Sequence, residues 1–357
     1  MSDKLSDLID NQIRLNGPMS IANYMGLCLT HPHEGYYKGD DPLGAGGDFI
    51  TAPEISQMFG ELIGFALVKL GQQRKEPRSF TLLELGPGRG TLMQDALRAA
   101  SKADGFANAT HLQLFETSAR LREEQKSRLD AYNPYWSEEL DAVSDDPLFV
   151  VANEFFDALP IRQFVKGKNG WHERLVGLKD DQRMFGLSPT PIPDTAMPEA
   201  VRNAKLGEIY EVSLASADVM SRLSKIVARQ GGAIIAIDYG YSRTQTGETL
   251  QAVRKHAFAN PLEAPGEADL SAHVNFASLA EIATEMGLTA HKITPQGDFL
   301  RRLGIVERAD SLAKVNPGYA EILESAVHRL TASDQMGDLF KVLIVTSPGI
   351  NPPGVFL

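Results

Sequence analysis

Cysteine is nearly absent: Cys28 is the only one in 357 residues. A single thiol excludes an internal disulfide and a cysteine-based zinc site, and a cytoplasmic setting is the default expectation. Basic residues are in the minority, with 35 lysines and arginines against 46 aspartates and glutamates and a formal net charge of -11. That balance disfavours nucleic acid or anionic lipid as a partner and favours a basic protein or peptide. Nowhere do about 18 apolar residues run together without charge, so no membrane insertion is expected. Residues 1–16 intersperse charges with Leu5, Leu8, Ile9, Ile13 and Leu15, which reads as an amphipathic helix and not as a secretion signal. Also missing are a Gly-x-Ser-x-Gly elbow, a phosphate-binding P-loop and any zinc-ligand spacing, so no metal is expected. His31 and His33 flank a proline that breaks a helical ligand pair and predicts a turn, while His256 and His273 belong to no recognisable triad.

Glycine, by contrast, is concentrated where it matters. Residues 79–85 hold Phe80, Leu82, Leu83 and Leu85, a short apolar run that predicts a strand buried on both faces, and residues 91–100 then read as helical. Gly86, Gly88 and Gly90 fall at the turn between them. Glycine there permits positive φ and lets a ligand lie against the main chain, while the helix start supplies free N–H donors. A dinucleotide fingerprint needs its third glycine three residues after the second, where this chain has Thr91, so the match to NAD or FAD is imperfect. The form Glu-x-Gly-x-Gly-x-Gly, from Glu84 to Gly90, is similar to motif I of the class I S-adenosylmethionine (SAM) methyltransferases. Glu84 suits that reading, because a carboxylate at the strand end repels phosphate but attracts an ammonium, directly or through water. The alternative is an ordinary tight strand-to-helix turn. A second acid follows: residues 111–115 read as a strand, residues 118–129 as a helix, and Glu116 between them stands where a doubly wound fold presents an acid to a ribose. Helix capping or plain exposure is the competing account of Glu116.

The chain as a whole predicts an α/β fold with a mostly parallel, doubly wound sheet. Further strands are expected at residues 148–153, 233–238, 288–293 and 339–346, the last of them antiparallel if the chain follows the class I pattern. Residues 1–78 read as an N-terminal helical cap with helices near 2–15, 20–30 and 53–70, and residues 79–350 as the SAM-binding domain. That domain carries insertions at about 161–212, with strand patterns around Gly167-Lys168-Asn169-Gly170, and about 239–275, mostly turn and loop. Before the glycine loop, Gly44 to Gly47 and the run from Asp48 to Glu54 are dense in turn formers, with Thr51 a candidate N-cap and Glu54 three residues on. A capping box explains this pair. The functional alternative is that Thr51 and Glu54 belong to a segment that folds over the cofactor and shields it from water.

The candidate chemical centre is the run from Val150 to Pro160, in which Asn153, Glu154 and Asp157 leave a buried strand beside the expected methyl donor. In a helical turn Glu154 and Asp157 would share a face and present two carboxylates together. Two carboxylates suit a guanidinium, which is planar, carries five donors and must lose a proton to attack a methyl carbon. The plainer alternative is that Asp157 caps a helix while Glu154 points to water.

Several segments together resemble one family: Asn16-Gly17-Pro18-Met19-Ser20, His31-Pro32 and Gly35-Tyr36-Tyr37, the run from Gly47 to Glu61, Leu83 to Gly90, Asn153 to Pro160, and Ile237-Asp238-Tyr239-Gly240. The chain resembles the MidA-type SAM-dependent methyltransferases, whose mitochondrial members assist respiratory complex I assembly by methylating an arginine of a complex I subunit. The resemblance implies a class I fold, SAM as cofactor, and a protein arginine as acceptor, symmetrically dimethylated. It assigns Glu84, Gly86, Gly88 and Gly90 to the first motif, Glu116 to the second, and Asn153, Glu154 and Asp157 to the third. The rival functions are a chaperone-like assembly factor without required catalysis, and a methyltransferase acting on RNA or a small molecule.

Overall fold

The structure is a computed structural model that describes residues 4–38, 51–73, 79–350 and 352. The expected glycine-rich turn from Gly44 to Gly47, with its continuation to Ile50, lies outside the described residues. The chain forms two compact units, one of Met1–Phe49, Asp157–Asp218 and Arg243–Asn275, the other of Ile50–Phe156, Val219–Ser242 and Phe276–Leu357.

The second unit is built on a sheet whose strands are β1 (Phe80–Leu85), β2 (Thr110–Phe115), β3 (Tyr135–Ser137), β4 (Leu148–Asn153), β5 (Gly232–Tyr241), β6 (Thr289–Ala290) and β7 (Phe340–Thr346), in the spatial order β6-β7-β5-β4-β1-β2-β3. The pairs from β3 through β5 are parallel, and β7 runs antiparallel to β5. Every residue of β1 and β4 is buried, which is why both are mainly apolar, interrupted only by Thr81 and Glu84 in β1 and by Asn153 at the end of β4. The chain steps outward from β1 to β3 and then crosses back to β4, so the order reverses between β1 and β4, where open α/β sheets bind ligands at their carboxyl ends.

Helices α1 (Ala52–Ile55), α2 (Gln57–Gly71), α3 (Thr91–Ala100) and α4 (Ala119–Leu129) belong to this unit. The single helix expected at 53–70 is broken at Ser56, whose extended backbone (φ -162, ψ 138) starts α2 afresh with its hydroxyl accepting from Met58 N–H at 3.2 Å. Helices α2 and α3 approach closely because Gly60 and Gly64 face α3: a Cβ on Gly64 would stand 2.2 Å from the Ala96 carbonyl oxygen. We expect Gly64→Ala to lower unfolding stability by about 1–3 kcal/mol, as overpacking does, seen as a lower urea midpoint at unchanged slope. The strand expected at 288–293 is reduced to two-residue pairings at Thr289–Ala290 and Thr294–Pro295 along β7, since Leu288 N–H closes the preceding helix on Ala283 and Pro295 has no N–H to offer.

In the first unit, helices Lys4–Asn16 and Ile21–Thr30 bury Leu5, Ile9, Ile21 and Met25 in one core with Val176 and Leu270. Strands Met19–Ser20, Arg162–Gly167, Gly170–Lys179, Gln182–Leu187 and Ile209–Val212 form an antiparallel sheet, with Lys168-Asn169 turning the first long hairpin. Residues 239–275 are more ordered than turn and loop. They contribute a three-stranded sheet of Gln251–Arg254, Ala257–Ala259 and Asp269–Ser271, whose tight turn puts Lys255 and His256 at φ 52 and 61. Asn-Gly is the usual mark of such a turn, and Lys-His carries no such signal.

Candidate active site

The chain leaves β1 through three glycines in the left-handed region, Gly86, Gly88 and Gly90, at φ 61, 53 and 80. Gly86 N–H donates to Phe115 O at 3.1 Å and Gly90 N–H to Pro87 O at 2.8 Å, which curls the loop across the ends of β1 and β2. A Cβ on Gly90 would lie 3.2 Å from Leu129 Cδ1, so that glycine serves packing as well as dihedral freedom.

Glu116 follows β2 and is buried, with Oε1 accepting from Ser118 N–H at 2.7 Å and Oε2 from Gln125 Nε2 at 3.2 Å. Burial pushes its pKa up, opposed by those donors. Gln125, fully buried on α4, also donates to Gly88 O at 2.7 Å, while its Oε1 accepts from Trp136 Nε1 at 2.7 Å. One amide therefore ties the glycine loop to the acid after β2. Gln125 belongs to no recognisable motif; its only signal in the sequence is its place between Leu121 and Leu129 on the buried stripe of a highly charged helix.

Glu84 points inward from β1 and is 2% exposed. Burial first, and the neighbouring Glu116 second, push its carboxyl up to about 8. Its Oε2, like Asn153 Oδ1, has no hydrogen-bond partner among the described residues. Buried oxygens without donors at the end of a parallel sheet fit a ligand that brings N–H groups and positive charge. The raised pKa also has a consequence for the unliganded protein. A carboxyl whose folded pKa lies above its unfolded value contributes stability below about pH 4.5, and that contribution is lost as pH rises through about 8. Glu84→Gln should therefore raise the melting temperature of the unliganded protein at pH 8.5 by several degrees and flatten its decline between pH 5 and 8, as calorimetry would record.

At the end of β4, Asn153 is buried and donates from Nδ2 to Glu154 Oε1 at 3.2 Å. Glu154 adopts φ 50, and residues 154–160 form turns and bends, so the helical turn that would have put Glu154 and Asp157 on one face does not form. Glu154 Oε1 also accepts from Ala52 N–H at 3.0 Å. Asp157 is buried and belongs to the other unit, where its carbonyl accepts from Ala272 N–H at 3.0 Å. In that unit the Tyr37 hydroxyl donates to Asp269 at 3.2 Å, and burial, then Asp269 and Asp157, hold its pKa well above the usual phenol value.

The capping box at Thr51 and Glu54 is not made. Thr51 occupies the N-cap position of α1 without a side-chain bond, and Glu54 Oε1 instead accepts from the Thr91 hydroxyl at 2.6 Å. Glu54 and Glu154 thus fasten α1 from two sides, one to the start of α3 and one to the end of β4. The His31 ring accepts from Glu34 N–H at 3.3 Å within a turn.

With that geometry in view, the model of a family described as "Putative S-adenosyl-L-methionine-dependent methyltransferase" matches residues 62–294, a span that takes in the glycine loop, Glu116 and the turn after β4. The chain belongs to this family. Its cofactor is SAM, and the loop, the acid after β2 and the donor-free buried oxygens suit that group. Among curated relatives, a mitochondrial protein arginine methyltransferase NDUFAF7 from Danio rerio is 33% identical over 94% of this chain and 85% of its own length. The NDUFAF7 homolog from Drosophila melanogaster is 35% identical over 95% of this chain and 84% of its own. A Burkholderia thailandensis protein solved with bound S-adenosyl-homocysteine superposes with a TM-score of 0.85 at 27% identity, covering 98% of this chain and 92% of that one. The α/β class I methyltransferase fold expected from the sequence is the fold observed, including the antiparallel last strand. No helix among the described residues is long and apolar enough to cross a membrane.

Proposed function

We propose that this methyltransferase modifies an arginine of a protein, with a respiratory complex I subunit as acceptor and symmetric dimethylarginine as product. The observation that carries the reading is likeness over more than nine-tenths of the chain to relatives named protein arginine methyltransferases, at 33 and 35% identity. The acidic balance of the chain suits a basic acceptor. We assign the site on the loop geometry and the buried polar groups. Gly86, Gly88 and Gly90 let the cofactor approach the main chain, Glu116 takes the ribose hydroxyls, and Glu84 and Asn153 face the amino-acid end. Bound there, SAM supplies an electrophilic methyl group on a sulfonium.

Glu154 and Asp157 orient the acceptor guanidinium and accept its proton. A carboxylate has room for about four hydrogen bonds, so the two donors on Glu154 Oε1 are compatible with that role. Alignment contributes about 7–11 kcal/mol in well-oriented reactions, whereas proton acceptance contributes about 10²–10⁴-fold, so binding geometry dominates. Thr51 and Glu54 lie on the segment that shields the cofactor from water, and the working compartment is the cytoplasm.

The test is transfer of labelled methyl from SAM to proteins of a matched cell extract, followed by hydrolysis. Label in symmetric dimethylarginine is the expected result. Label confined to RNA or small molecules, or no transfer at all, overturns the reading. So does complex I assembly rescued equally by Glu154→Ala and by the parent sequence.

A further inference from the structure

We propose that Asp238 is a positioning residue for methyl transfer: its buried carboxylate holds the turn from Asn153 to Phe156 in the shape that presents Glu154 and sets Phe155 over the glycine loop. The inference rests on the reading of Glu154 as an acceptor-side group. Asp238 sits near the carboxyl end of β5 and is 0% exposed. Its Oδ2 accepts from Phe155 N–H at 3.1 Å and from Phe156 N–H at 3.0 Å, and its Oδ1 accepts from Tyr239 N–H at 2.9 Å.

Two successive N–H groups converge on one oxygen only where the chain curls, and the left-handed Glu154, at φ 50, is that curl. A non-glycine residue persists in this region only when its surroundings hold it there. Here β5 supplies the restraint twice over. Ile237 O accepts from Glu154 N–H at 2.9 Å, and the next residue, Asp238, takes the two N–H groups that follow.

The turn in turn reaches the cofactor loop. Phe155 Cδ2 lies 3.1 Å from where a Gly86 Cβ would stand, and the Phe155 ring is edge-on to Phe115, the residue before Glu116, at 6.2 Å between centroids. A carboxylate suits the task because it only accepts. An asparagine would turn an NH₂ donor toward one of these main-chain N–H groups. Burying an acid is costly unless hydrogen bonds compensate it, so an apolar residue would serve the packing of β5 better. What the acid adds is the turn.

The experiment pairs Asp238→Asn with Glu154→Gln, using methyl-labelled SAM at saturation and the matched cell extract as acceptor. Asp238→Asn should lower the initial rate of label transfer by at least about 30-fold while the SAM dissociation constant stays within about fivefold. Hydrogen exchange at the Phe155 and Phe156 amides should quicken at least about tenfold while β1 and β4 keep their protection. A rate within threefold of wild type, or a lost rate with exchange at those two amides unchanged, overturns the proposal. Should the variant not fold, the wild type decides: its Phe155 and Phe156 amides must exchange as slowly as those of β4, and fast exchange there overturns the proposal. An active Glu154→Gln beside an inactive, locally loosened Asp238→Asn removes the acceptor reading and leaves Asp238 as holder of the turn. An inactive Glu154→Gln beside an active Asp238→Asn removes only this proposal.

Discussion

Replacing Gly88 by valine is expected to weaken SAM binding by at least about 30-fold while the protein stays folded. Gly88 sits at φ 53 between two more left-handed glycines, and its carbonyl is fixed by Gln125 Nε2 at 2.7 Å. A residue with a Cβ costs about 1–2 kcal/mol in that region, and a β-branched one is a clear outlier there. The loop escapes by shifting, which also displaces Gly88 O from Gln125 and disturbs the link to Glu116. Since 1.4 kcal/mol is about tenfold in affinity, Gly88→Ala should fall between wild type and valine. Titration calorimetry with SAM measures all three, and a valine variant within threefold of wild type would place the cofactor elsewhere.

Neutralising the carboxylates after β4 should strike turnover and spare the cofactor. Glu154→Gln and Asp157→Asn are each expected to lower the rate of transfer to protein by about 10²–10⁴-fold, the range lost with a general base, at a SAM dissociation constant within about threefold of wild type. Glutamine keeps an oxygen where Glu154 Oε1 accepts from Ala52 N–H, so the anchor of α1 survives and the loss reports on charge. Rates near wild type in both variants would leave the cofactor site standing and remove the acceptor assignment.

What was legible in advance depended on how local its cause is. Strand β4 runs Leu148–Asn153 and helix α3 runs Thr91–Ala100, the spans the apolar pattern predicts, because burial on both faces and a glycine-to-helix junction are written in neighbouring residues. The capping box at Thr51 was legible and not made, because the Thr91 hydroxyl 37 positions away is the partner of Glu54. Nothing within a few residues of Glu154 announces its left-handed backbone, since β5 imposes it through Ile237 and Asp238, over 80 positions further along.

By itself, then, the order of residues determined the parallel α/β plan, the glycine loop and the acid after β2, which follow from short-range sterics and burial, while the kinship to SAM methyltransferases rests on the resemblance of its motif segments. Tertiary structure alone decided how the polar groups are spent. Gln125 joins Gly88 to Glu116, Asp238 gathers the N–H groups of Phe155 and Phe156, and Glu84 is left buried with an oxygen lacking a donor among the described residues. Each is a hydrogen bond, or the want of one, between atoms far apart in sequence, and only the folded chain brings donor and acceptor within 3 Å or so of each other.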